Sequence, residues 1–222
     1  MPLSPPVARE LLHLRDIALK GYQREDGLFD IEAHLVDTKT YGFPSEHRGR
    51  VEPGEPLHGM WVRLTIDMDM NVIACEAASD FTPFAICPQA APNFAALAGL
   101  KIGPGFNKAV QERVGGVKGC THLRELLAQM ATVAFQTLYP VRARREAEER
   151  RAASAAAAAG TVSGEPPASP GRRPALLDSC YAYRADGPVV ARRWPEWARP
   201  PQPAEPQPAD PAVSSAGAAA KV

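Results

Sequence analysis

The sequence predicts an α+β domain: a small, mainly antiparallel β-sheet with helices packed on one face, followed by a disordered C-terminal tail. Three observations predict it. Apolar residues alternate with a period of two in three stretches before about residue 80. After Asn93 the period changes to about 3.6, with helix-ending glycines and a proline in place. Bulky apolar residues concentrate before Pro140, so one core domain, residues 13–140, carries the fold of this 222-residue chain.

Residues 1–12 read as a Pro-rich, flexible lead-in. In the first strand Phe29, Ile31, Ala33 and Leu35 share one face, with Asp30, Glu32 and His34 on the other, and the pattern continues to about Asp37. Residues 42–56 hold the turn formers and read as a loop. His58, Met60, Val62, Leu64 and Ile66 define a second strand. After the turn-like DMDMN, Ile73, Cys75 and Ala77 can share a face of a third, which makes an antiparallel hairpin. Residues 81–92 contain three prolines, which excludes a central strand or a helix interior and leaves a loop carrying Cys87.

NFAALAGL then reads as a short helix capped by Asn93. FNKAVQERV is a second helix, with Phe106, Val110 and Val114 aligned and Gly115-Gly116 closing it. The third helix aligns Leu123, Leu126, Leu127, Met130, Val133, Ala134 and Leu138, and Pro140 is expected to stop it. Residues 141–174 read as a charged, Ala-rich helical extension and a Pro/Gly/Ser linker. Residues 175–197, around a turn at Asp186-Gly187, read as a β-hairpin-like segment packing on the core, and 198–222 as a disordered tail.

Lys+Arg and Asp+Glu are both 25, so no global field draws the chain to nucleic acid or to an anionic membrane. No run approaches the about 20 apolar residues that cross a bilayer, and the N-terminus lacks a secretory pattern. A cytoplasmic protein is expected, with possible protein partners but neither nucleic acid nor membrane. Its four cysteines are too few and too scattered for a disulfide scaffold and read as free thiols, ligands or nucleophiles.

Consecutive antiparallel pairing would bring Asp37, His58 and Cys87 to one end of the sheet. Alternation aims Asp37 and His58 toward the helical layer, where a polar group needs a partner. Cys120 and His122 sit at the start of the third helix, with Thr121 as cap, where the helix dipole lowers a thiol's pKa. Carboxylate, imidazole and thiolate together suit zinc or an iron–sulfur cluster. Two other readings stay open: Cys120 as a nucleophile with His58 or His122 as base, and an interaction module whose cysteines only pack.

The motifs GYQREDGLFDIEAHLVDTK, PLHGMWVRLTID, LAGLKIGPGFNKAV, GCTHLRELL and LLDSCYAYRADGP resemble an uncharacterised bacterial family of unknown function over residues 15–195. In layout the chain is also similar to iron–sulfur scaffold proteins of the IscU/NifU type. That resemblance implies a metal or nascent cluster held by Cys87, Cys120 and His122, with Asp37 or His58 replacing a cysteine that this chain lacks.

Overall fold

The computed structural model describes residues 3–158, 173, 174 and 176–200. Its center is a four-stranded antiparallel sheet made of β1 (His13–Gln23), β2 (Phe29–Lys39), β5 (Pro56–Ile66) and β6 (Val72–Phe81), in the order β1-β2-β5-β6. A small hairpin of β3 (Phe43–Ser45) and β4 (Gly49–Val51) stands between β2 and β5. The helical layer comprises a 3-10 run (Cys87–Leu97), α1 (Phe106–Val114) and α2 (Thr121–Ala158). The expected fold class is the observed one.

Alternation decides which face is covered. Phe29, Ile31, Ala33 and Leu35 of β2 lie opposite Ile66, Leu64, Val62 and Met60 of β5, and all are buried. On this face α2 crosses β1, β2 and β5, and the 3-10 run packs against β6. Leu123, Leu126, Leu127, Met130, Ala134 and Leu138 of α2 are fully buried, as the helical period predicts. Each large side chain there contributes roughly 1.5–3 kcal/mol, so packing rather than propensity fixes the helix on the sheet. Gly21 of β1 faces Thr137 so closely that any β-carbon there would collide with the threonine side chain.

Several elements differ from expectation, each for a local reason. β1 was not legible as a strand, although Arg15, Ile17 and Leu19 alternate toward the helices. The loop at 42–56 contains the β3–β4 hairpin, which buries Val51. A bulge where Thr65–Ile66 faces Val72–Ala74 turns Ile73 outward and leaves Val72 and Cys75 on the buried side. The loop at 81–92 and the helix expected at Asn93 merge into the 3-10 run. It begins at Cys87, takes Pro88 near its start and holds Pro92 inside. Asn93 caps nothing: its amide donates to the Lys118 carbonyl.

Pro140 lies inside α2 rather than ending it. The lost backbone bond is tolerated because strong helix formers follow, and Arg142 reaches back to the Met68 carbonyl in the β5–β6 turn. The helix expected over the Ala-rich stretch is therefore continuous with the third helix as far as Ala158.

The described residues from 173 onward belong to a second unit. In place of the expected hairpin, its described part folds as a 3-10 turn (Tyr181–Tyr183), α3 (Pro188–Arg193) and another 3-10 turn (Pro195–Trp197). Pro188 directly after Gly187 starts a helix, since its fixed φ and missing N–H suit the first helical position. Leu177, Ala185 and Val190 form this unit's small core, with Trp194 and Trp197 against it. Most of the linker and of the tail expected beyond 198 lies outside the described residues.

Candidate functional site

The antiparallel register sets Asp37 of β2 directly opposite His58 of β5 at the sheet end where α2 begins. Asp37 is 1% exposed, so every lone pair it has must be satisfied from within. Arg15 on β1 supplies a two-pronged pair: its Nε donates to Oδ1 at 2.7 Å and its Nη2 to Oδ2 at 2.8 Å. His58 Nδ1 lies 2.9 Å from Oδ2, and His13 Nε2 3.3 Å from Oδ1. The remaining Arg15 nitrogen, Nη1, donates to Glu125 of α2 at 3.1 Å, which stitches the edge strand to the helix.

The start of α2 meets this cluster. The His122 ring lies 3.9 Å from the His58 ring, center to center and tilted by 33°. Ligand atoms of Asp37, His58 and His122 all fall within 4.8 Å of one another, so the three can hold a metal ion. Cys120 Sγ lies 3.8 Å from His122 Nδ1 and 3.9 Å from Met60 Sδ.

The helix starts one residue off the expected position. The Cys120 carbonyl accepts the first helical bond, from Arg124 N–H, so Cys120 and not Thr121 is the capping residue. The backbone N–H groups of Leu123 and His122 then favor a negative sulfur. Gly119 is needed just before the cap, because a β-carbon there would strike the Val114 carbonyl.

The protonation balance follows from these contacts. Burial pushes the Asp37 carboxyl up, but Arg15 and then His58 outweigh it and hold the group below the usual carboxylate range. Burial lowers His58, the neighboring His122 lowers it further, and Asp37 only partly opposes them. His122 is raised, chiefly by its hydrogen bond to Cys120 and against its own burial. Burial would raise the Cys120 thiol, yet His122 and the two backbone N–H groups bring it below its ordinary value.

Of the five residues singled out from sequence, Asp37, His58 and His122 thus meet, with Cys120 beside them. Cys87 stands apart from that cluster, at the head of the 3-10 run. It lines an open cleft of ≈ 370 Å³ together with Cys120, Gln89 and Asn93. Arg15 and His13 were missed, because strand β1 was missed; the signal available was the Arg15-Ile17-Leu19 alternation.

Sheet, helical layer and a cluster of buried Asp37 and His58 with half-buried His122 define a small α+β protein with a ligand set that could take a metal at one sheet end. Residues 13–136, more than half of the chain, match the family described as Protein of unknown function (DUF2889), and the chain belongs to that family. The match ends well short of residue 195, to which the resemblance extends. No curated protein and no solved structure matches the chain. Among the described residues no helix is long and apolar enough to cross a membrane.

Proposed function

We propose that this domain is a metal-binding accessory protein of the cytoplasm, and that its cation is a zinc-class divalent ion held by Asp37, His58 and His122. The observation that carries this reading is the meeting of the three ligand atoms, from β2, β5 and α2, within 4.8 Å. A tetrahedral site with arms of about 2.0–2.1 Å sets neighboring N and O ligands roughly 3.3 Å apart. The 2.9 Å separation of His58 Nδ1 and Asp37 Oδ2 would therefore open by only a few tenths as the metal replaces a proton. Arg15 works against a second cation, while the Cys120 thiolate and Glu125 offset it.

One thiol beside two imidazoles and a carboxylate suits zinc better than an iron–sulfur cluster, which is held mainly by several thiolates. The four described cysteines are all free, in keeping with a reducing compartment.

A second reading has its own support: Cys120 caps a helix, borders the open cleft and has an imidazole at 3.8 Å. In that reading His122 takes the thiol proton through Nδ1, and the thiolate attacks an electrophile entering from the cleft. His58 and Asp37 then hold His122 in place.

Cobalt titration of tag-free protein separates the two. Under the metal reading, one equivalent gives the visible absorption of a tetrahedral site and His58→Ala and His122→Ala abolish it. No absorption, together with fast alkylation of Cys120 that slows in His122→Ala, sinks the metal reading and favors the nucleophile.

A further inference from the structure

The two edges of the sheet are finished differently. Where β6 begins, its outer edge is paired: Val72 exchanges backbone hydrogen bonds with Gly99 and Leu100, Ile102 N–H donates to the Met70 carbonyl, and Asn71 bridges to Lys101. Along β1 nothing among the described residues pairs with the outer edge. That edge is also long and regular, since β1 keeps eleven consecutive partners on β2 without a bulge, whereas the β2–β5 pairing contains one register shift and the β5–β6 pairing two. A long, unbroken, unpaired edge is what natural sheets normally blunt or cover.

We propose that a second copy of this chain covers it, β1 pairing antiparallel with its symmetry mate about Ala18 to make an eight-stranded sheet. The argument is charge complementarity in one register. With Ala18 on the two-fold axis, Asp16 faces the mate's Lys20, Ile17 faces Leu19, Leu14 faces Tyr22 and Arg15 faces Gly21, which leaves the guanidinium its room. Asp16 and Lys20 have no ion pair among the described residues, and this register supplies each with one, twice per dimer. Leu14 and Tyr22, 45% and 44% exposed, become apolar cross-strand neighbors. Shifting the register by two residues to either side moves Asp16 off Lys20, so the charges select one pairing.

Sedimentation equilibrium of the full chain, from about 1 to about 100 μM, tests this with Asp16→Lys, Lys20→Asp and the double swap. The parent is expected to dimerise. Each single reversal puts two like-charge pairs into the dimer and should raise its dissociation constant at least ~10-fold. The double swap should restore the dimer, and an equimolar mixture of the two single variants should form a heterodimer, in which every facing pair is again opposite in sign. That recovery also shows that the variants are folded. A parent that stays monomeric at about 100 μM overturns the proposal. So does a dimer indifferent to the single reversals, or a mixture that fails to associate; a foreign strand or another surface would then be the partner.

Discussion

Two cysteines of one domain show how position alone sets chemistry. Cys75 lies in β6 opposite Leu64, on the face that the helices cover, and burial pushes its thiol up to about 12. Cys120 is also partly buried, but it caps α2, and the same desolvation is outweighed by two backbone N–H groups and an imidazole. A sheet interior offers sulfur no free N–H, because its backbone donors are spent on the ladder; a helix start has donors to spare.

The largest expected effect is kinetic. At pH 7.5 a thiol at about 12 is ionised to only ~3 × 10⁻⁵, so native Cys120 should alkylate at least about 1,000 times faster than Cys75 by peptide mapping. Equal rates would erase the contrast.

Next comes the carboxylate behind the site. Arg15→Met leaves the Asp37 carboxylate, only 1% exposed, without its cation and should cost about 3–5 kcal/mol in urea unfolding, with Asp37→Asn milder because the partly exposed Arg15 keeps Glu125. If Arg15→Met is neutral, the pair is not what holds β1 to β2 and α2 at this end.

A smaller effect has a definite sign. His58 titrates lower in the folded state than the usual 6.5, so its stabilising contribution is present above about pH 6.5 and is lost as pH falls through its folded value. Metal-free protein should weaken as pH falls below about 6.5, and His58→Gln should flatten that limb; an unchanged slope would place the titration elsewhere. The contribution of Asp37 goes only below about pH 3.9, well below where this limb begins.

The smallest test separates cap from ligand. Cys120→Ser keeps a capping acceptor and should leave stability within about 0.5 kcal/mol, whereas Cys120→Ala should cost about 1 kcal/mol. Equal costs would mean that the sulfur caps nothing.

Much of this site can be read in the chain because strands and helices carry their own periods. Alternation through Phe29 to Leu35 and through Met60 to Ile66 put Asp37 and His58 in phase with the core, and the helix period placed His122 at the first turn of α2. Their meeting needed one further assumption, consecutive antiparallel pairing, which the sheet obeys. What stayed hidden was nonlocal. Arg15 belongs to an edge strand whose inward face carries a charge, so the apolar signal was diluted and the two-pronged contact with Asp37 went unread. Cys87 sat beyond a strand end, and strand order says nothing about how far a proline-rich segment then turns away. Pro140 failed as a stop signal because its cost is local while the sequence around it favors helix on both sides.

The uninterrupted run of α2 past Pro140 has a consequence in time. At about 1.5 Å per residue the helix is roughly 57 Å long, against about 37 Å for an eleven-residue strand, so its last turns reach past anything the sheet can shelter. Arg142, tied to the Met68 carbonyl, clamps the helix to the sheet, and the turns beyond it carry solvent-facing pairs such as Arg145–Glu149. Amide exchange along this one helix should therefore run as a graded clock: slowest around Leu127 and Met130, and progressively faster after Arg142.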